Sequence, residues 1–349
     1  EKVHWVAFET MEQFMVDVFK GAGIPEEDAK ICADVLITSD KRGIDSHGVG
    51  RFKPFYVDRI REGIINPVTN IKVIKEGPTT AVLDGQNGMG HVIGKRAMDT
   101  AIQKAANYGM GMAVVRNSNH YGIAGYYSMM AIEKGMIGIT GTNARPSIAP
   151  TFGVENMLGT NPLTFGMPTD EEFPFVLDSA TSIAQRGKIE VYAREGKQLP
   201  EGWVIGEDGT ARTDTEQVLK DLVTGGAALA PLGGIGERLL EILSAALQGG
   251  AFLKALTGLD NGKKVPYHIG HFFIAINIES FTELDTFKKT TGDILRELRA
   301  SKLAPGQERI YTAGEKEYIA WQYRKDKGVP LNEAIQRDII QLKNDYNLN

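Results

Sequence analysis

The chain holds a single cysteine in 349 residues, which excludes an intramolecular disulfide and any multi-cysteine metal site. That cysteine, Cys32, falls among Ile31, Val35 and Leu36 in an apolar-periodic stretch and is expected in the core. No run of about 18 apolar residues is present, so nothing in the sequence reads as a membrane span. Positive charge is not in excess: 39 Lys and Arg against 44 Asp and Glu leave a net charge of −5. That balance argues against a general affinity for nucleic acid or anionic lipid, while local basic pockets for small anions stay open. No His, Cys, Asp and Glu cluster has metal-ligand spacing, so no catalytic metal is expected. Residues 1–8 lack the basic-then-apolar layout of a secretory signal, and the expected setting is a reducing cytoplasm.

What is present is an ordinary globular composition, 42% hydrophobic with 40 glycines, in a chain long enough for more than one domain. Residues 8–20 carry Phe14, Met15, Val18 and Phe19 at helical spacing and stop at Gly21 and Gly23. Pro25 followed by three acids predicts a second helix, to about Lys41, and residues 51–62 a third. The pattern then changes. Strands are predicted at 79–83, 112–115, 137–140, 163–166, 175–177 and 272–278, with helices at 95–107, 126–134 and 239–247. Helical patterning returns at 285–299 and 332–344. The expected fold is α/β: a central α/β domain over residues 78–284, packed against a discontinuous helical domain from 1–77 and 285–349.

The turn Gly88-Met-Gly90-His-Val-Ile-Gly94 approximates a dinucleotide fingerprint, but its last spacing is one residue too long. Arg116 and Asn117 also stand where an acidic ribose anchor belongs, so a tight turn setting a helix against a sheet is the preferred reading of these glycines. The connector Asp45-Ser46-His47-Gly48-Val49-Gly50-Arg51 carries chemistry suited to a 2-hydroxy acid. Arg51 offers a planar fork to a carboxylate, and His47 can take a hydroxyl proton as hydride leaves. Ser46 beside His47 also suggests a hydrolase, but neighbouring side chains usually diverge and no third member of a triad is evident. The polar turn 117–125, with His120, follows a strand and precedes a helix, where α/β proteins gather ligands. Loops at 158–162, 178–181, 185–188 and 231–237 add hydroxyls, glycines and cations.

Six segments in register resemble the malate/L-lactate dehydrogenase family of the non-Rossmann type. They are Asp-Ser-His-Gly-Val-Gly-Arg (45–51), Asn-Ser-Asn-His-Tyr-Gly (117–122), Gly-Thr-Asn-Pro (159–162), Asp-Ser-Ala-Thr-Ser (178–182), Arg-Gly-Lys (186–188) and Leu-Gly-Gly-Ile-Gly-Glu (232–237). The family also includes ureidoglycolate, sulfolactate and 2,3-diketogulonate dehydrogenases and a cyclic-imine carboxylate reductase. The resemblance implies a homodimer with its own NAD(P)-binding fold, unrelated to the Rossmann domain, that interconverts a small 2-hydroxy acid and its 2-oxo acid. Malate or lactate comes first; a cyclic-imine or diketo-acid reductase, or a ligand-binding protein without turnover, are the alternatives. The same resemblance puts proton transfer on His47 assisted by Ser46, with His120 as a second candidate, and the substrate carboxylate on Arg51. Thr160, Arg186, Gly187 and Lys188 are implied near the substrate. His120, Tyr121, Gly122, Ile123, Ala124, Asp178, Ser179, Ala180, Ala313, Gly314 and Glu315 are implied along the cofactor, NAD or NADP. Lys188 stands where some relatives have an aspartate completing a relay. A glycine-rich lid with Lys and Tyr is expected after Glu237, where this sequence passes directly to Arg238 and Leu239.

Overall fold

The computed structural model describes residues 3–233 and 236–348. Its centre is a seven-stranded sheet in the order Lys72–Glu76, Thr80–Asp84, Met110–Ser118, Ile269–Asn277, Met136–Thr142, Leu163–Met167, Phe175–Ser179. Only Thr80–Asp84 and Met110–Ser118 run parallel; every other neighbouring pair is antiparallel. A nucleotide-binding sheet of the doubly wound kind is mostly parallel, so the expected non-Rossmann α/β arrangement is what the strands form.

Helices Gly90–Tyr108 and Ala124–Ile132 cover one face of the sheet. Ala97, Met98, Ala101 and Ala105 meet Ala113, Val115, Phe273 and Ala275 in one buried cluster. Helix Gly236–Ala245 covers the other face, with Leu240 against Val114 and Phe272. Sequence periodicity starts the first of these helices at Lys95, five residues late. Fully buried Val92 and Ile93 extend it back to Gly90, and that packing outweighs the poor helix propensity of Gly90 and Gly94. Helix Gly236–Ala245 runs unbroken past Arg238 into Leu239, where the glycine-rich lid is expected. Gly234 and Ile235 of the neighbouring motif lie outside the described residues.

The chain ends build a helical layer around its own core. Helix Phe8–Gly21 buries Phe8, Met11, Met15, Val18 and Phe19 on one stripe, and helix Glu26–Lys41 follows Pro25 with three acids in its first turn. Cys32 is fully buried there, as its apolar neighbours imply. Val329, Leu331 and Leu342 join the same cluster, and strand His4–Val6 pairs with Val329–Leu331. Helix Leu284–Ala300 lies against Ile278–Ser280 and reaches Asp170 and Glu171 through Arg296 and Arg299.

Two features depart from the periodicity. The third helix is not regular: Val49–Arg51 and Asp58–Arg61 are α-helical, but Phe52–Val57 between them is a π-turn. Pro54 lies inside it, with no N–H to donate and a ring that crowds the preceding turn, and the helix widens there. A third cluster also goes beyond the two expected domains. Helices Arg186–Arg194 and Thr215–Thr224, with strands Val204–Gly206 and Ala227–Leu229, close over Ile148, Leu158, Ile189, Val204 and Val218. Asp214 as N-cap and Gly225 in the left-handed C-cap position were legible signals for the second helix. No helix among the described residues is long and apolar enough to cross a membrane.

Candidate active site

A cleft of ≈430 Å³ opens between the helical layer and the sheet. Ser46, His47 and Arg51 line it from the first connector, and Gly122, Ile123 and Ala124 from the start of helix Ala124–Ile132. Thr160, Asp178, Ala180, Arg186 and Gly187 complete the residues expected from sequence. Pro162 and Gln185 line it from the 159–162 motif and the 185–188 loop, and Ile44 and Glu317 line it without a motif of their own.

The connector is clamped from two sides. Arg324 forks onto the Asp45 carboxylate at 2.5 and 2.9 Å and also donates to the Asp40 carbonyl at 2.7 Å. Asp40, 1% exposed, accepts the Val49 N–H at 2.8 Å, and burial raises its carboxyl to about 8. A Cβ on Gly48 would fall 2.2 Å from that carboxylate, so only glycine lets the connector cross there. Neither Asp40 nor Glu317 belonged to a recognisable motif; Glu317 had only its closeness to the 313–315 turn.

On this clamped connector the Ser46 hydroxyl and His47 Nδ1 do meet, at 2.8 Å, because non-helical backbone turns the adjacent side chains together. The Arg51 Nε donates to the Ser46 carbonyl at 2.6 Å and its guanidinium lies 4.3 Å over the Phe55 ring. Among the described residues its two terminal nitrogens have no acceptor. The half-buried His47 ring stacks on His120 at 5.6 Å. Burial first, and then the Arg51 charge, lower His47 to about 4, so at neutral pH the ring is uncharged.

Behind it, His120 Nδ1 faces the Tyr56 hydroxyl at 2.6 Å and the Gly122 N–H at 3.3 Å. The amide can only donate, so Nδ1 holds the lone pair, the Tyr56 hydroxyl donates too, and the ring proton sits on Nε2. Burial and the neighbouring rings and cation hold His120 well below the ordinary histidine range. The π-turn brings Tyr56 under His120 while Arg51, five residues earlier, stays on the cleft.

Several expected residues lie elsewhere. Tyr121 is 2% exposed and stacks on His271 at 4.3 Å, a core position. Ser179 donates to the carbonyl of Ala180. Lys188 turns to the third cluster, 4.7 Å over the Trp203 ring. Ala313 and Gly314 lead into helix Glu315–Arg324, where buried Glu315 takes the Thr312 N–H and pairs with Arg309.

The lining suits a nicotinamide dinucleotide. Gly122, Ile123 and Ala124 bring the start of helix Ala124–Ile132 to the cleft, where the Asp178 carboxylate already takes the Gly125 N–H at 2.7 Å, and a Cβ on Gly187 would meet nothing within 4 Å. Among the described residues no group of three His, Cys, Asp or Glu is placed to hold a metal.

Comparison with known proteins agrees over nearly the whole chain. Residues 6–340 match the family model described as malate/L-lactate dehydrogenase. The malate dehydrogenase of Pyrococcus horikoshii is 44% identical over 340 residues, covering 94% of this chain and 92% of that one. The L-sulfolactate dehydrogenase of Methanocaldococcus jannaschii is 40% identical over 98% of this chain and 97% of its own. The crystal structure of malate dehydrogenase from Entamoeba histolytica superposes with a TM-score of 0.94 at 45% identity, covering 100% and 99% of the two chains. A clamped Ser–His–Arg connector, a mostly antiparallel sheet and this end-to-end likeness lead to one conclusion: the chain belongs to the malate/L-lactate dehydrogenase family, nicotinamide-dependent oxidoreductases of 2-hydroxy acids.

Proposed function

We propose that the chain interconverts malate, or failing that lactate, with the corresponding 2-oxo acid, using NAD or NADP. The observation that carries this reading is one cleft shared by Arg51, His47 and the first turn of helix Ala124–Ile132. Arg51 holds the substrate carboxylate with its two terminal nitrogens, while its Nε stays on the Ser46 carbonyl. His47, uncharged in the free enzyme, takes the C2 hydroxyl proton; the Ser46 hydroxyl steadies the ring at Nδ1. A bound nicotinamide would supply the hydride acceptor or donor for C2. A carboxylate seated on Arg51 offsets the charge that depresses His47 and so favours the imidazolium that proton uptake creates. His120 carries its proton on Nε2 and is the second candidate for the donor in the reducing direction.

Gly122, Ile123, Ala124, Asp178 and Ala180 would hold the cofactor, and Thr160, Arg186 and Gly187 would close on the acid. The positions of Lys188, Tyr121 and Glu315 do not support direct contact roles for them. The chain is further proposed to act as a homodimer in the cytoplasm, which light scattering of the purified protein tests for the dimer.

A spectrophotometric scan of oxaloacetate, pyruvate and cyclic imine carboxylates, each with NADH and with NADPH, tests the reading. Oxaloacetate or pyruvate should give the fastest loss of reduced cofactor. Turnover of imines alone moves the site to a reductase; no turnover with any acid leaves a ligand-binding protein and overturns the proposal.

A further inference from the structure

Charge in the cleft is divided between two ends. Arg51 shares its electrostatic environment with Arg186 and Glu190, on the side of Ser46 and His47. Glu317 and Asp178 interact instead with each other and with Arg42, which has one terminal nitrogen on the Met129 sulfur. Asp178 is engaged at both oxygens, by the Gly125 N–H at 2.7 Å and the Thr164 hydroxyl at 3.0 Å. Glu317 is half-buried, reaches the cleft from the first turn of helix Glu315–Arg324, and has no hydrogen-bond partner among the described residues.

A cleft of ≈430 Å³ lies toward the small end of ligand sites, which span about 300–1,000 Å³. The part enclosed by these residues suits the reacting half of the complex, an acid and the nicotinamide end of the cofactor. The anionic acid belongs at the Arg51 and Arg186 end, which leaves the nicotinamide ring for the end that holds Glu317. That ring carries a positive charge when oxidised and none when reduced.

We infer that Glu317 is a specificity residue for the oxidation state of the cofactor, its carboxylate favouring the cationic oxidised nicotinamide over the neutral reduced one. The inference rests on the proposed occupancy of the cleft. Asp178 adds to the same field, and Arg42 offsets part of it, so the effect is that of about one screened unit charge.

The test is equilibrium binding. NADH and NADPH are titrated by their fluorescence, and NAD+ and NADP+ by competition, on the wild type, Glu317→Gln and Glu317→Asp. Glu317→Gln should raise the Kd of the oxidised form roughly three- to tenfold and leave that of the reduced form within about twofold. Glu317→Asp should restore most of the preference, and added salt should shrink the wild-type difference. Equal weakening of both forms, which a ribose contact or a disturbed helix would cause, overturns the inference, and so does no change in either. Wild-type protein that binds neither form overturns the functional reading as well, whereas normal binding with an unchanged ratio overturns this inference alone.

Discussion

Two glycine-bearing turns leave the central sheet and open a helix, and they end up doing opposite jobs. The turn before helix Gly90–Tyr108 has the spacing closer to a nucleotide fingerprint; the turn before helix Ala124–Ile132 looks like a polar loop. In the fold the second fills the first. A Cβ on Gly90 would lie 2.3 Å from the His120 carbonyl oxygen and 2.4 Å from that of Asn119. Asn119 Nδ2 donates to Asn87 Oδ1 at 3.0 Å and to the Gly88 carbonyl at 2.9 Å, and the Asn87 N–H donates to Asn117 at 2.8 Å. Arg116 and Asn117 both close on Asp84, at 2.9 Å each. Glycine permits close backbone approach. What approaches is settled by the fold: at the first turn it is the second turn, while at the second Gly122 closes on the Val35 side chain and Gly125 on the Asp178 carboxylate, and residues 122–124 line the cleft.

The largest test of that contrast removes the base beside the second turn. His47→Ala should lower kcat by roughly 10²–10⁴ while the cofactor Kd, read by fluorescence, stays near the wild-type value. If His120→Ala gives that loss and His47→Ala does not, the base is His120. Arg51→Lys keeps the charge but loses the planar fork, and should raise KM for the acid roughly tenfold or more without weakening cofactor binding. Equal losses for both ligands would contradict the assignment. Gly90→Ala breaks the comparison directly. The added methyl meets backbone oxygens, so a denaturation midpoint should reveal a loss of about 1–3 kcal/mol with cofactor affinity of the folded protein intact. Stable protein with weakened cofactor binding would return the phosphate site to the first turn. The smallest expected effect is a flat one. With His47 lowered to about 4, kcat/KM for oxidation, which reports the free enzyme, should be level across neutral pH and fall only as pH approaches that value. A fall centred near the ordinary histidine value, about 6.5, would mean the ring is not desolvated.

Much of the helical layer was legible because its signals are local. Pro25 with its acids, the apolar spacing of Met15, Val18 and Phe19, and Gly21 and Gly23 after the first helix are all encoded within one or two turns. The third cluster was not, since its helices are short and its core draws on Ile148 and Leu158, which are distant in sequence. The site divides in the same way. Ser46, His47 and Arg51 sit within six residues of each other, so their chemistry could be read together. Asp40 and Tyr56 support the site across a helix and a π-turn, Glu317 lines the same cleft from most of the chain length away, and no spacing rule joins them.

The sequence by itself determined which residue types carry the chemistry, where the terminal helices begin and end, and the family, since these depend on side-chain identity and short-range backbone preference. Only the tertiary structure decided which glycine turn faces the cleft, that Tyr121 and Lys188 turn away from it, and that Glu317 turns toward it. Those outcomes depend on which backbone surfaces pack against each other, and burial of Val92, Ile93 and Tyr121 outweighs any local pattern.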